Sequence, residues 1–115
     1  MELNIQIPGF FGRLKKPIEA QLIRFNPFQI TINSPTRLKP GQLIYLNMTT
    51  AQHTLREVSA RAELCEPCGP LFQTQLRFVL ERPDKQPYRE AISILKAMEQ
   101  SLPASVKAPL HLHKI

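Results

Sequence analysis

Tryptophan is absent from these 115 residues, glycine occurs four times and cysteine twice. Each shortage excludes something. Without Trp, a core has to come from Leu, Ile, Val and the six Phe, which suffices for a globular fold and is too apolar for a disordered chain. The few glycines form no phosphate-cradling loop. No apolar run approaches the ~20 residues that span a bilayer. The opening Met1-Glu2-Leu3-Asn4-Ile5-Gln6-Ile7 has no basic stretch, long apolar run or small-residue cleavage site, so a secretory leader is not expected. A cytoplasmic protein follows, with both cysteines reduced.

Acidic side chains are also scarce, 9 against 15 Lys and Arg, giving a formal charge of +6 and a pI near 9.8. That balance suits an anionic partner: nucleic acid, a nucleotide or an acidic protein. Only Arg13, Lys15 and Lys16 form a tight basic group, and dispersed charge of this kind is ordinarily solvated surface.

The length fits one domain, expected over residues 1–103 with an irregular tail at 104–115. Leu3, Ile5 and Ile7 alternate with Asn4 and Gln6, the period of a half-buried strand, and Pro8-Gly9 ends it. After a basic loop, residues 18–25 read as a second strand. Phe28, Ile30 and Ile32 mark a third, stopped by Ser34-Pro35. The turn Lys39-Pro40-Gly41 opens a fourth over 42–48, with Leu38 expected to pin the loop to the core. Residues 55–64 and 71–80 form two longer strands around a tip at Glu66-Pro67-Cys68-Gly69-Pro70. Beyond Pro83-Asp84 the period changes: Tyr88, Ile92, Leu95, Met98 and Leu102 share one helix face, with Asp84 as cap and Pro103 as stop. The expected fold is mainly β, a six-stranded antiparallel barrel in meander order with a C-terminal helix.

Few residues offer chemistry. Cys65-Glu66-Pro67-Cys68 has the spacing of a redox pair or half a zinc site, but it falls at a hairpin tip, not at a helix N-terminus. His111 and His113 are the only close pair available to complete a zinc set. His53 lies among polar loop residues with no acid placed to orient it, so no enzyme is expected. Phe10, Phe11 and Phe25, with the basic excess, leave single-stranded nucleic-acid binding as a minor alternative.

The run Arg24-Phe25-Asn26-Pro27-Phe28-Gln29-Ile30-Thr31-Ile32-Asn33-Ser34-Pro35-Thr36-Arg37-Leu38-Lys39-Pro40-Gly41-Gln42-Leu43-Ile44-Tyr45-Leu46 resembles a PilZ domain. Val58-Ser59-Ala60-Arg61-Ala62, Gln75-Leu76-Arg77-Phe78-Val79 and the helix at 91–102 fit the later elements of that family. The resemblance implies a bacterial receptor or adaptor for the messenger cyclic di-GMP. In the family an Asp-x-Ser-x-x-Gly motif precedes the Leu-x-Pro-Gly turn. Counting back from Leu38-Lys39-Pro40-Gly41 places Arg24, Asn26 and Gln29 at the motif's Asp, Ser and Gly. The Arg-x-x-x-Arg segment is replaced by Arg13, Lys15 and Lys16, and lysine lacks the planar fork that clamps phosphate. What the departure implies is a divergent, type IV pilus-associated adaptor whose partner is a protein of pilus, flagellar or secretion machinery. The alternative is weak cyclic di-GMP binding through Arg13, Lys15, Lys16, Arg24, Asn26 and Gln29.

Overall fold

A computed structural model describes residues 1–9, 13–79 and 86–106, and for 86–89 the backbone alone. The seven strands are β1 (Glu2–Gln6), β2 (Ile18–Glu19), β3 (Gln21–Phe25), β4 (Gln29–Ser34), β5 (Leu43–Thr49), β6 (Thr54–Cys68) and β7 (Leu71–Phe78), followed by the helix α1 (Gln86–Gln100). They form one antiparallel sheet in the order β2-β1-β5-β6-β7-β4-β3, curled into a half-barrel.

Two expectations need correction. The stretch 18–25 is not one strand: the chain breaks at Ala20, so β2 pairs with β1 while β3 pairs with β4 at the opposite edge. Six strands thus become seven. Nor is the order a simple meander: β1–β2, β3–β4 and β5–β6–β7 are neighbours in the chain, but β1 lies beside β5 and β4 beside β7. A strand flanked on both sides must satisfy both rows of its backbone groups, and hydrogen-bond pairing, not chain order, decides its neighbours.

The consequence is geometric. The two edges of the sheet are consecutive pieces of one chain, so the sheet has to curl until its ends approach. Registers traced from Gln6 through Tyr45, Leu43, Arg61, Arg77, Gln29 and Asn33 to Gln21 climb, whereas Glu19 lies below Gln6. The edges are therefore offset by about ten residues, a stagger that accompanies strongly tilted strands in a small curled sheet.

Alternation does the rest of the sorting. Ile30, Ile32, Ile44, Leu46, Met48, Leu76 and Phe78 face inward with Leu3 and Ile5, and their partners on the other parity stay at the surface. Phe25, a stacking ring only in the minor nucleic-acid alternative, is fully buried and meets Phe78 edge-to-face at a centroid separation of 6.1 Å. Each such ring or aliphatic side chain contributes about 1.5–3 kcal/mol on burial. Leu38 is buried as expected, and the Lys39 carbonyl accepts the Gln42 N–H at 2.9 Å across Pro40 and Gly41, the latter at φ 83°. Proline at the second position and positive φ at the third are what a type II turn requires.

From α1, Leu95 and Met98 enter the core completely and Ile94 packs partly buried against it, as does Leu102 just past the helix. The helix stops before Pro103, and a 3-10 turn, Ala104–Val106, lies against β3. Asp84, Phe10, Phe11, His111, His113 and the end of the expected strand at Leu80 lie outside the described residues, as does the Tyr88 side chain. Among the described residues, no helix is long and apolar enough to cross a membrane.

One polar side chain holds a strained point. Where β6 carries an extra stretch opposite Asn47, Glu57 adopts φ 53°. The Asn47 Oδ1 accepts the Glu57 N–H at 2.9 Å, while its Nδ2 donates to Asn4 Oδ1 at 2.8 Å and Gln6 Oε1 at 2.9 Å. A left-handed non-glycine residue costs about 1–2 kcal/mol. Asn47→Ala is expected to lower unfolding stability by about 2 kcal/mol in urea titrations. In a Glu57→Gly background, where the backbone adopts that φ freely, the same substitution should cost clearly less; equal costs would disconnect Asn47 from the bulge.

Candidate functional site

The residues singled out by sequence fall into two groups at opposite ends of the strand order. Arg13, Lys15 and Lys16 belong to a loop that continues the β1 hairpin. Pro8 bridges Leu14, the Lys15 N–H donates to the Ile7 carbonyl at 3.0 Å, and the Gln6 Nε2 donates to the Lys15 carbonyl at 3.1 Å. Backbone pairing fixes the loop's base, and the three cationic side chains are exposed. Arg24, Asn26 and Gln29 sit on the β3–β4 hairpin. Among the described residues no hydrogen bond or ion pair joins the two groups.

Within the second group, only Arg24 points freely outward. Asn26 is 3% exposed, and its Oδ1 accepts the backbone N–H groups of Phe28 at 2.8 Å and Gln29 at 2.9 Å. Its own N–H donates to the Gln29 carbonyl at 2.9 Å. This is an Asx turn: a short side-chain oxygen takes the place of a backbone acceptor around Pro27, whose fixed φ favours the bend. Asn26 thus holds a hairpin turn, and the oxygen expected at a ligand is already engaged. The Gln29 Nε2 donates to Glu63 Oε1 at 3.3 Å.

Glu63 also accepts Arg77 Nε at 2.8 Å, and Arg77 lies directly opposite both Gln29 and Arg61 in the sheet. With Arg77 61% and Glu63 35% exposed, this is a surface ion pair worth little by itself. Arg61 donates to the Gly41 carbonyl at 3.0 Å. Sequence reasoning did not single out Arg61, Glu63 or Arg77. Alternation along 58–62 and 75–79 marks the arginines as outward-facing, but their juxtaposition is a matter of register, which sequence alone leaves open.

The cysteine pair is not at the hairpin tip. Both residues belong to β6, and the reversal is made by Gly69, at φ 63°, and Pro70, with Cys68 opposite Leu71. Glycine with positive φ at the first loop position is what a II′ hairpin uses. Proline inside a long strand has a local explanation. The Ser59 carbonyl accepts Val79 N–H on the β7 side at 2.8 Å, whereas Ala62 pairs away from β7, with Gln42 and Gly41. Past the bulge between Ala62 and Leu64, that alternation turns the Pro67 nitrogen toward the open side of β6, where no ladder partner needs its missing N–H.

Cys65 and Cys68 are three residues apart on an extended strand, so they lie about 10 Å apart on opposite faces. Cys65 faces inward and accepts the Thr74 hydroxyl at 3.3 Å, while Cys68 is exposed. No set of three or more metal-ligating side chains is assembled among the described residues.

Two outcomes follow. Asn26→Ala is expected to cost about 2 kcal/mol of stability, because two partly buried N–H groups lose their acceptor; Asn26→Asp, which keeps one, should cost less. An unchanged midpoint for Asn26→Ala in thermal melts would free this residue for a ligand. Mild oxidation should produce no Cys65–Cys68 disulfide, since the separation exceeds the ~7 Å limit between bridged Cα atoms, and peptide mapping of the oxidised protein checks this.

Comparison of the chain with protein-family models and with curated proteins returns no match.

Proposed function

We propose that this chain is a non-enzymatic, cytoplasmic PilZ-like adaptor that acts by protein–protein interaction in bacterial cyclic di-GMP-related signalling or in type IV pilus and motility regulation. The observation that carries the reading is the use already made of the positions where a nucleotide motif belongs. Asn26 Oδ1 is committed to two backbone N–H groups and Gln29 reaches Glu63, so neither side chain is poised for a base or phosphate. The frame around them supports the family resemblance: a curled antiparallel sheet, the Leu38-Lys39-Pro40-Gly41 turn leading into β5, and one C-terminal helix.

The receptor alternative keeps Arg13, Lys15, Lys16 and Arg24 as cations. Phosphate clamping favours paired guanidinium forks, and two of the three cations in the loop are lysines. A PilZ-like module without its clamp works through surface contacts, and its partner is a protein of pilus, flagellar or secretion machinery.

Isothermal titration with cyclic di-GMP is expected to give no heat up to millimolar ligand. Cross-linking of the tagged chain in bacterial cells should recover a component of such machinery. Micromolar nucleotide binding that is lost in both Arg13→Ala and Arg24→Ala would overturn the adaptor reading in favour of the receptor.

A further inference from the structure

The outer, convex face of β3, β4, β7 and β6 carries an arrangement the hairpin interactions leave unexplained. Arg24 lies opposite Thr31, Thr31 opposite Gln75, Gln29 opposite Arg77, and Arg77 opposite Arg61. All three arginines are exposed. Arg61 and Arg77 face each other directly across two strands, and like charges in that position destabilise a sheet. Glu63 compensates Arg77 alone, Arg61 reaches only a neutral carbonyl, and Arg24 has no hydrogen-bond or ion-pair partner among the described residues. Between the cations lie the amides and hydroxyl of Gln29, Gln75 and Thr31, and Leu64 stands 51% exposed beside Gln75.

We propose that this face docks an acidic segment of a partner protein, with two carboxylates reaching Arg24 and the Arg61–Arg77 pair and an apolar side chain meeting Leu64. The inference rests on the adaptor reading and names its surface. Arg24 and Arg77 are two strands apart laterally and two residues apart along the strand, so their Cα atoms lie about 12 Å apart. Two turns of helix span about 10.5 Å, which matches carboxylates seven residues apart. Guanidinium forks take carboxylates in bidentate pairs, and the uncompensated charge draws in an acidic partner. Nucleic acid fits less well. Phe25 and Phe78 are turned into the core, the exposed Phe28 stands by itself at the hairpin turn, and the Glu63 carboxylate sits where a phosphate chain would pass.

The test uses fluorescence anisotropy with a labelled helical peptide bearing Glu at positions seven apart in an Ala/Gln background. Its Gln twin and an oligo-dT strand serve as the other probes. The wild-type chain is compared with Arg24→Glu/Arg61→Glu and with Lys15→Glu/Lys16→Glu, which changes the net charge equally, after thermal melts show that all three fold. The wild type should prefer the Glu peptide about tenfold over its twin. The outer-face variant should lose that preference, and the loop variant should keep it. Equal losses in both variants, tighter binding of oligo-dT, or no peptide binding by the wild type would overturn the proposal. A cellular partner that still binds Arg24→Glu/Arg61→Glu would remove this face while leaving the adaptor reading intact. Failure to recover any partner, with peptide binding preserved, would remove the adaptor reading alone.

Discussion

The break at Ala20 governs the architecture. Because Ile18–Glu19 and Gln21–Phe25 follow one another in the chain yet pair with opposite edges of the sheet, those edges are tied covalently and the sheet has to curl. Curling gives it an inside, and the inward parity of every long strand then converges on one core. Leu38, Leu95 and Met98 complete that core from a loop and a helix. A flat sheet of the same strands would leave two long edges exposed, a hazard that curvature removes.

Two asparagines and a proline fix the details within this frame. Asn26 closes the β3–β4 turn, Asn47 supports the bulge at Glu57, and the placement of Pro67 on the open side of β6 denies a neighbouring strand one donor. Of the three, only Asn26 is among the residues the sequence offers to a ligand. In the fold, two of them are internal fasteners and the third blunts an edge. On the outer face of the described sheet, Arg24 and Arg61 are exposed without a carboxylate partner, while Arg77 beside them is paired with Glu63.

That redistribution shapes the functional reading. A site for a small anionic ligand needs preorganised donors converging on one point. Here no hydrogen bond or ion pair among the described residues joins the Arg13, Lys15 and Lys16 loop to the Arg24 hairpin, and the outer face of the sheet is convex. Such a surface is better matched to another macromolecule than to a nucleotide, which is why a protein partner is proposed.

Strand positions from Leu3 to Phe78, the Pro40-Gly41 turn and the buried helix face at Leu95 and Met98 were legible in the sequence. Each is written locally, in alternation of period two, in a helical period, or in residues that fix φ. Strand order, the split at Ala20, the two-sided role of β6 and the opposition of Arg61 to Arg77 were not, because pairing between distant segments depends on register and curvature, to which local periodicity is blind. The same holds for Asn26, whose residue type suits a turn and a ligand equally. Only its burial beside the Phe28 and Gln29 amides decided for the turn.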